Sequence, residues 1–589
     1  MTPTSLPDWK SKRALLVLAL AVTLAAALKL WIHKAPLLDV RLGDSDDAMR
    51  LVMVRDLLAG RGWYDQHITR LQPPYGVYLH WSRLLDGALA GYDSLLRLIL
   101  SPGDAERAMR ATWPMLWLFP TIAAGLAIVR RLGGGLALTA GALLFLICSD
   151  GYGQFAPGRI DHHNVQIAFC IVAAAGALWS AESWIAALVA GAATGLGLAI
   201  GIEGLFLYAT LGAGVALGFV FGKLNARTVS AYGLALAGVA AAAFLAQTPP
   251  WRWGVSVCDA LGLNLTAGLV LAGLGLTGAA VLTHARTRVI RGIAAGAVGV
   301  LSAGLFLALD PSCAGGPVAA VDPSIRGIWL STIDEMRPLG FLLQHDFARG
   351  AALAAPAALG LLAWAWIGRQ RTARSFEWAL TGACLVIAAA AMAAANRMGG
   401  YVVWFAVPPI ACAATELALA YGRGLLVSGA ALSVLLAPPA MAWTATTIAH
   451  QLGPPAAKGP ASRFADQACM DASSFGALAK APPGLVLASP NLGPFILAET
   501  RDSVLAAPYH RMAWGIVLGH DLLALHPREA EDAVRAAKID YVAACASGGA
   551  GSGSGLEARL AARKAPAWLE PLSPPGDALQ VYRVSRRIG

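Results

Sequence analysis

Apolar runs of about 20 residues, each long enough to cross a hydrocarbon core, alternate with short polar breaks along three-quarters of the chain. They predict helical spans at 14–32, 112–130, 133–149, 165–181, 185–202, 204–222, 229–247, 264–283, 290–309, 350–367, 376–395, 401–420 and 425–445. The first run follows Lys10, Lys12 and Arg13. Lys29 and Trp31 stand where a cleaved signal peptide carries small residues, so the run reads as a retained span. Beyond Thr446 the hydropathy drops. Leu485–Ala488, Val504–Ala506 and Asp540–Ala544 then read as strands, with helical patterns at 513–524 and 527–537 and a Gly/Ser-rich loop at 546–555. The predicted fold class is a polytopic α-helical membrane protein with about thirteen transmembrane helices and a small C-terminal α/β domain. Its two domains are 1–445 and 446–589.

Charge orients this pattern. Arg130/Arg131, Lys223/Arg227, Arg286/Arg288/Arg291, Arg369/Arg371/Arg374 and Arg423 occupy alternate loops, on the side of the basic N-terminus. The positive-inside rule makes that side cytoplasmic, and an odd span count puts the C-terminal domain outside. The opposite loops are 33–111, a short one at Asp161, one at 251–264 and one at 310–349. The net charge of +10 is thereby used in topology, which argues against a nucleic-acid partner and for membrane lipids around the chain. Only 14% of residues are charged, against about 25% in soluble domains. Cys148, Cys170, Cys384 and Cys412 fall in or beside apolar spans and read as buried small hydrophobes. Cys258 with Cys313, and Cys469 with Cys545, are open to disulfide formation if their regions lie outside the cytoplasm.

The outer loops hold the polar chemistry. Asp44-Ser45-Asp46-Asp47 opens a helical pattern at Ala48–Leu58 that ends at Gly60 and Gly62. Carboxylates two apart on a first helical turn can share a hard cation such as Mg²⁺ or Mn²⁺, and helix capping is the plainer alternative. Asp161-His162-His163 offers a carboxylate and an imidazole for a borderline cation such as Mn²⁺, or a polar helix cap. Thr332-Ile333-Asp334-Glu335 offers Glu335 as a base or hydrogen-bond acceptor. His80-Trp81-Ser82-Arg83 reads as interface anchoring, with Arg83 able to meet a phosphate, and Arg397 stands alone between two spans.

In order and topology these residues resemble the GT-C superfamily of polyprenyl-dependent glycosyltransferases, and within it the oligosaccharyltransferase catalytic subunit and its archaeal and bacterial single-subunit relatives. Gly43-Asp44-Ser45-Asp46 matches the family's Gly-x-x-Asp motif, Asp161-His162-His163 its second acidic motif, and Thr332-Ile333-Asp334-Glu335 its Thr/Ser-x-x-Glu motif. Arg397 falls near an arginine that contacts the acceptor in relatives. The resemblance implies Asp46 and Glu335 as catalytic residues. It also implies Asp46, Asp161 and His163 as ligands of a divalent metal, Mn²⁺ or Mg²⁺, and Arg397, Arg83 and Thr332 as substrate contacts. Asp44, Asp47, His162 and Asp334 are secondary candidates.

The implied reaction moves a sugar or oligosaccharide, with inversion, from a polyprenyl-phosphate-linked donor at the periplasmic face of the inner membrane. The family's Trp-Trp-Asp-Tyr-Gly pentad, which reads the asparagine sequon, does not occur, and the nearest match is Trp514-Gly515. The acceptor is therefore open among protein, lipid and glycan. A monosaccharide transferase of the same superfamily and a transporter or flippase are the rival functions. Against transport, the charges cluster at one end of the spans and no repeat is evident.

Overall fold

The computed structural model describes residues 8–147, 150–316, 320–330, 333–370, 374–420, 432, 434–435, 437–452, 467–546 and 554–585. Cys148, Thr332, the 546–555 loop beyond its two ends and residues 425–431, 433 and 436 of the predicted span 425–445 lie outside the described residues, and the later part of that span falls in the helix Pro438–Leu452.

Eleven helices carry the apolar pattern of the first domain or its continuation: α1 (Asp8–Lys34), α2 (Ser45–Leu58), α3 (Arg83–Leu96), α4 (Pro102–Leu116), α5 (Leu118–Ile147), α6 (His163–Trp179), α7 (Trp184–Ile200), α8 (Leu205–Val220), α9 (Ala226–Gln247), α10 (Leu263–Thr283) and α11 (Arg288–Leu309). Five more follow: α12 (Pro323–Arg326), α13 (Leu339–His345), α14 (Phe347–Gly368), α15 (Ser375–Ala394) and α16 (Gly399–Ala420). Among the described residues, eight helical units are long and apolar enough to cross a membrane, and α6, α7 and α8 are shorter apolar helices. The chain is a multi-pass membrane protein. The expected spans 112–130 and 133–149 fall within one 46-residue unit, Pro102–Ile147. Within it, Gly134 at φ 76° kinks α5 where the sequence pattern placed a loop.

Close packing holds the bundle. Trp404 on α16 is buried against Phe145, Tyr152 and Phe155, with ring centroids 5.4, 5.8 and 6.0 Å away. At the opposite end Arg131 on α5 ties down Glu182 and, at 2.5 Å, Glu377.

Above the bundle, β1 (His67–Ile68) and β2 (Val77–Tyr78) form a small hairpin. The C-terminal region forms a five-stranded sheet of β3 (Leu485–Leu487), β4 (Ser503–Val504), β5 (Tyr541–Cys545), β6 (Leu569–Pro571) and β7 (Leu579–Val584), in the order β4-β3-β5-β7-β6. β3 runs parallel to both its neighbours, whereas β7 is antiparallel to β5 and β6. Helices Ala513–Ala524 and Pro527–Ala536 connect β4 to β5 where the periodicity placed them. β6 and β7 were not expected, because Pro571, Pro574, Pro575 and Gly576 make that stretch read as loop.

The sheet does not stand apart from the first outer loop. Met49, Val52 and Met53 of α2 share one hydrophobic core with Phe495, Ile496, Val486 and Val581. Arg70 donates to the carbonyl oxygens of Leu497, Thr500 and Asp502, which fastens the hairpin to the sheet. Cys258 pairs with Cys313, and Cys469 with Cys545, as disulfides.

Beneath α2 lies a buried ion cluster. Arg50 and Asp86 are fully buried, 2.5 Å apart, and the Arg50 guanidinium lies over the Trp81 ring at 4.5 Å. Arg83 also reaches Asp86 and donates to the carbonyl oxygens of Gly62, Trp63 and Asp65. Arg83, expected as a phosphate contact, is thus turned inward and consumed by the scaffold. Removing Asp86 would leave two buried guanidinium groups short of their counter-charge. Asp86→Ala is therefore expected to cost about 3–5 kcal/mol, read as a lower midpoint of thermal unfolding in detergent, with Asp86→Asn losing less.

Candidate active site

The three aspartates after Gly43 have different tasks. Asp44 is the N-cap of α2 and accepts from the backbone N–H groups of Asp46 and Asp47. Asp47 reaches back to accept from the N–H of Asp44, completing a capping box. Its other oxygen accepts from the N–H groups of Ile160 and Asp161 at 2.7 and 3.0 Å. A side chain at Gly43 would collide with the Asp47 carboxylate, a Cβ there lying 2.1 Å from Oδ2. With its neighbours committed to the backbone, Asp46 faces an open cavity.

Asp47 thereby fixes the second polar knot. Gly158, at φ +94°, turns the chain so that Arg159 points back at the first. Its guanidinium pairs with Asp44, with Asp47 at 2.8 Å and with Asp161 at 3.1 Å. Asp161 is buried between two imidazoles, 3.0 Å from His162 Nδ1 and 2.6 Å from His163 Nδ1. His163 Nε2 accepts from Arg397 Nη2 at 3.0 Å, so Nδ1 carries the proton given to Asp161.

A cavity of about 610 Å³ opens beside this knot, lined by Asp46, His162, Glu335 and Arg397. Arg397, just before α16, pairs with Glu203 and lies 3.4 Å from Glu335. Ile387, Ala390, Ala391 and Ala394 of α15 form an apolar wall, and Pro508, Tyr509 and His510 of the C-terminal domain also line the cavity. The Tyr509 hydroxyl donates to the carbonyl of Ser45, closing the sheet domain over Asp46. Asp334 turns away, its carboxylate 2.7 Å from Arg349. Of the expected residues, Asp44, Asp46, Asp47, Asp161, His162, His163, Glu335 and Arg397 come together, and Thr332 lies outside the described residues.

Two residues of the site, Arg159 and Glu203, escaped sequence reading. Glu203 sits 3.4 Å from both His162 and His163 and binds Arg397. The available signal was an ionisable residue between glycines at the break between two apolar helices, Gly201-Ile202-Glu203-Gly204.

The electrostatics separate these carboxylates. Against burial, Arg159 holds Asp44 below the usual carboxylate range. Against burial too, His163 and His162 hold Asp161 well below it. Burial, then the charges of Asp44 and Asp161, push Asp46 up to about 7, and the same causes push Glu335 up to about 7. Asp161, His162 and His163 can place one ligand atom each within 4.8 Å of one another, and so can Asp44, Asp47 and Asp161. A mixed carboxylate and imidazole set facing an excess of negative charge fits a divalent cation of the Mn²⁺ class.

No protein-family model matches the chain, and no curated protein sequence is significantly similar to it. Solved structures do match. The archaeal oligosaccharyltransferase AglB from Archaeoglobus fulgidus, in complex with an inhibitory peptide and a dolichol-phosphate, is 15% identical with a TM-score of 0.65, over 97% of this chain and 74% of that one. The Archaeoglobus fulgidus oligosaccharyltransferase tethered to an acceptor peptide containing the NVT sequon is 16% identical with a TM-score of 0.62, over 96% of this chain and 74% of that one. Its complex with zinc and sulfate gives 16% and 0.58, over 96% and 73%.

Arg159 offsets three carboxylates at once. Arg159→Met is expected to destabilise the protein by about 3–5 kcal/mol. Because a cation would meet the uncovered charge, the variant should gain more thermal stability from added Mn²⁺ than wild type does. Equal gains in the two proteins would count against this role.

Proposed function

We propose that this chain, which shares the GT-C fold of the oligosaccharyltransferases, is a metal-dependent inverting glycosyltransferase using a polyprenyl-phosphate-linked donor at the periplasmic face of the inner membrane. The observation that carries the reading is a cavity with both a polar floor and an apolar wall, lined by Asp46, His162, Glu335 and Arg397 and backed by the buried Asp161 and His163, the latter bonded to Arg397. Such a cavity suits a ligand with a phosphate head and a hydrocarbon tail. In this reading the chain has thirteen spans, with the N-terminus inside and the sheet domain outside.

Asp46, Asp161 and His163 would hold the cation, Mn²⁺ or Mg²⁺, which supplies positive charge to the donor phosphate as the bond from the anomeric carbon to oxygen breaks. Asp161 fixes His163 through Nδ1 and so leaves Nε2 as the donor atom. Arg397 adds a guanidinium for the leaving phosphate, exchanging Glu203 and Glu335 for it. Glu335, with Asp46, accepts a hydrogen bond from the acceptor nucleophile and draws it onto the face opposite the leaving group. The C-terminal domain presents Pro508, Tyr509 and His510 to the cavity. That wall, and the missing pentad, favour a second reading in which the acceptor is a lipid or glycan hydroxyl.

The test is to delete the protein and follow polyprenyl-linked sugars and surface glycans by mass spectrometry. The linked donor should accumulate, and complementation with Asp46→Asn, Asp161→Asn or His163→Ala should leave it accumulated. An unchanged profile in the deletion would overturn the reading. In purified enzyme, Glu335→Gln is expected to lower kcat/KM by about 10²–10³. The sign of the pH effect follows from Glu335. Raised to about 7, it is protonated below that value, so the wild-type rate falls as pH drops through about 7. A bound cation keeps Asp46 ionised, so Glu335→Gln should lose this acid limb.

A further inference from the structure

Outside the proposed catalytic knot, a second set of metal-type donors comes from three distant parts of the chain. His80 follows β2, Asp259 lies in the loop between α9 and α10, and His510 precedes helix Ala513–Ala524. One ligand atom from each can lie within 4.8 Å of the others. His510 Nε2 is 2.6 Å from Asp259 Oδ2, and the His80 and His510 rings are 4.6 Å apart. His80 Nδ1 is closed off from solvent and has no hydrogen-bond partner. An uncommitted buried nitrogen beside a second imidazole and a carboxylate is costly unless something binds it.

We propose that His80, Asp259 and His510 form a second metal site that takes a zinc-class divalent cation. The donor set decides the ligand class. Two imidazoles and one carboxylate are a three-ligand set for Zn²⁺, with a fourth position left for water or substrate. A carboxylate beside the imidazoles disfavours an anion there. Arg511 donates to both oxygens of Asp259, at 2.7 and 2.8 Å, and to the carbonyl of Tyr78. It orients the carboxylate as outer partners of metal ligands do. All three residues line the same cavity as Asp46 and Glu335, so the fourth position lies within it. The cation would also tie the C-terminal domain to two outer loops of the membrane domain.

The site shares no residue with the Asp46, Asp161 and His163 set, so the two can be separated. Full-length protein in detergent, stripped with chelator and dialysed, is titrated with Zn²⁺ at neutral pH and its bound metal measured by mass spectrometry. Wild type is expected to take about two equivalents, and His163→Ala, His80→Gln and His510→Gln about one each. Retention of the wild-type number by His80→Gln or His510→Gln would overturn the site. Loss of metal from His163→Ala alone would do the same, while leaving the catalytic reading intact. Co²⁺ titration of stripped His163→Ala protein, which keeps all three residues, guards against variants that misfold. A visible absorption band of tetrahedral Co²⁺ supports the site, and its absence overturns it.

Discussion

The Asp47 carboxylate holds together two segments more than a hundred residues apart in the chain. One oxygen closes the capping box of α2, and the other takes the backbone N–H groups of Ile160 and Asp161. The bond is a buried, charge-assisted one, strong because water cannot compete for it. Without it neither the direction of Asp46 nor the height of Asp161 is defined. Arg159 makes the arrangement tolerable by placing one delocalised cation against three carboxylates. The knot is therefore both a fold element and the platform on which the proposed chemistry stands.

Around it, scaffold and site use the same kinds of residue for opposite purposes. Asp86 and Asp47 are buried and fully engaged by arginines and backbone, and so they fix structure. Asp46 and Glu335 carry the same functional group but face a cavity, and burial together with crowding by like charge keeps both near 7. A carboxylate poised there can exchange a proton for a cation or a nucleophile without a large energetic step. Arg397 stands between the two groups, its charge shared between Glu203 and Glu335.

The sheet domain is part of this arrangement. Its core is continuous with that of α2, and Tyr509 and His510 close one side of the cavity. Arg511 clamps Asp259 from a loop between two spans.

Hydropathy, the loop charges and three short acidic motifs were enough to determine a multi-pass helical protein with its chemistry at one end and an α/β tail. Those features follow from local rules: helix length against membrane thickness, Arg/Lys bias, and carboxylate spacing. The same local signals could not distinguish Asp44, Asp46 and Asp47, because all three suit a first helical turn; the resemblance singled out Asp46 by its spacing from Gly43. What only the tertiary structure decided is that Asp44 and Asp47 take backbone partners while Asp46 faces the cavity. It also reversed Arg83, which burial beside Asp86 turned into scaffold, and brought in Glu203 and Arg159, whose roles exist only across distant contacts. Strands β6 and β7 were hidden for a similar reason. Their proline-rich surroundings deny a strand locally, and pairing supplies it, β7 against β5 and β6 against β7.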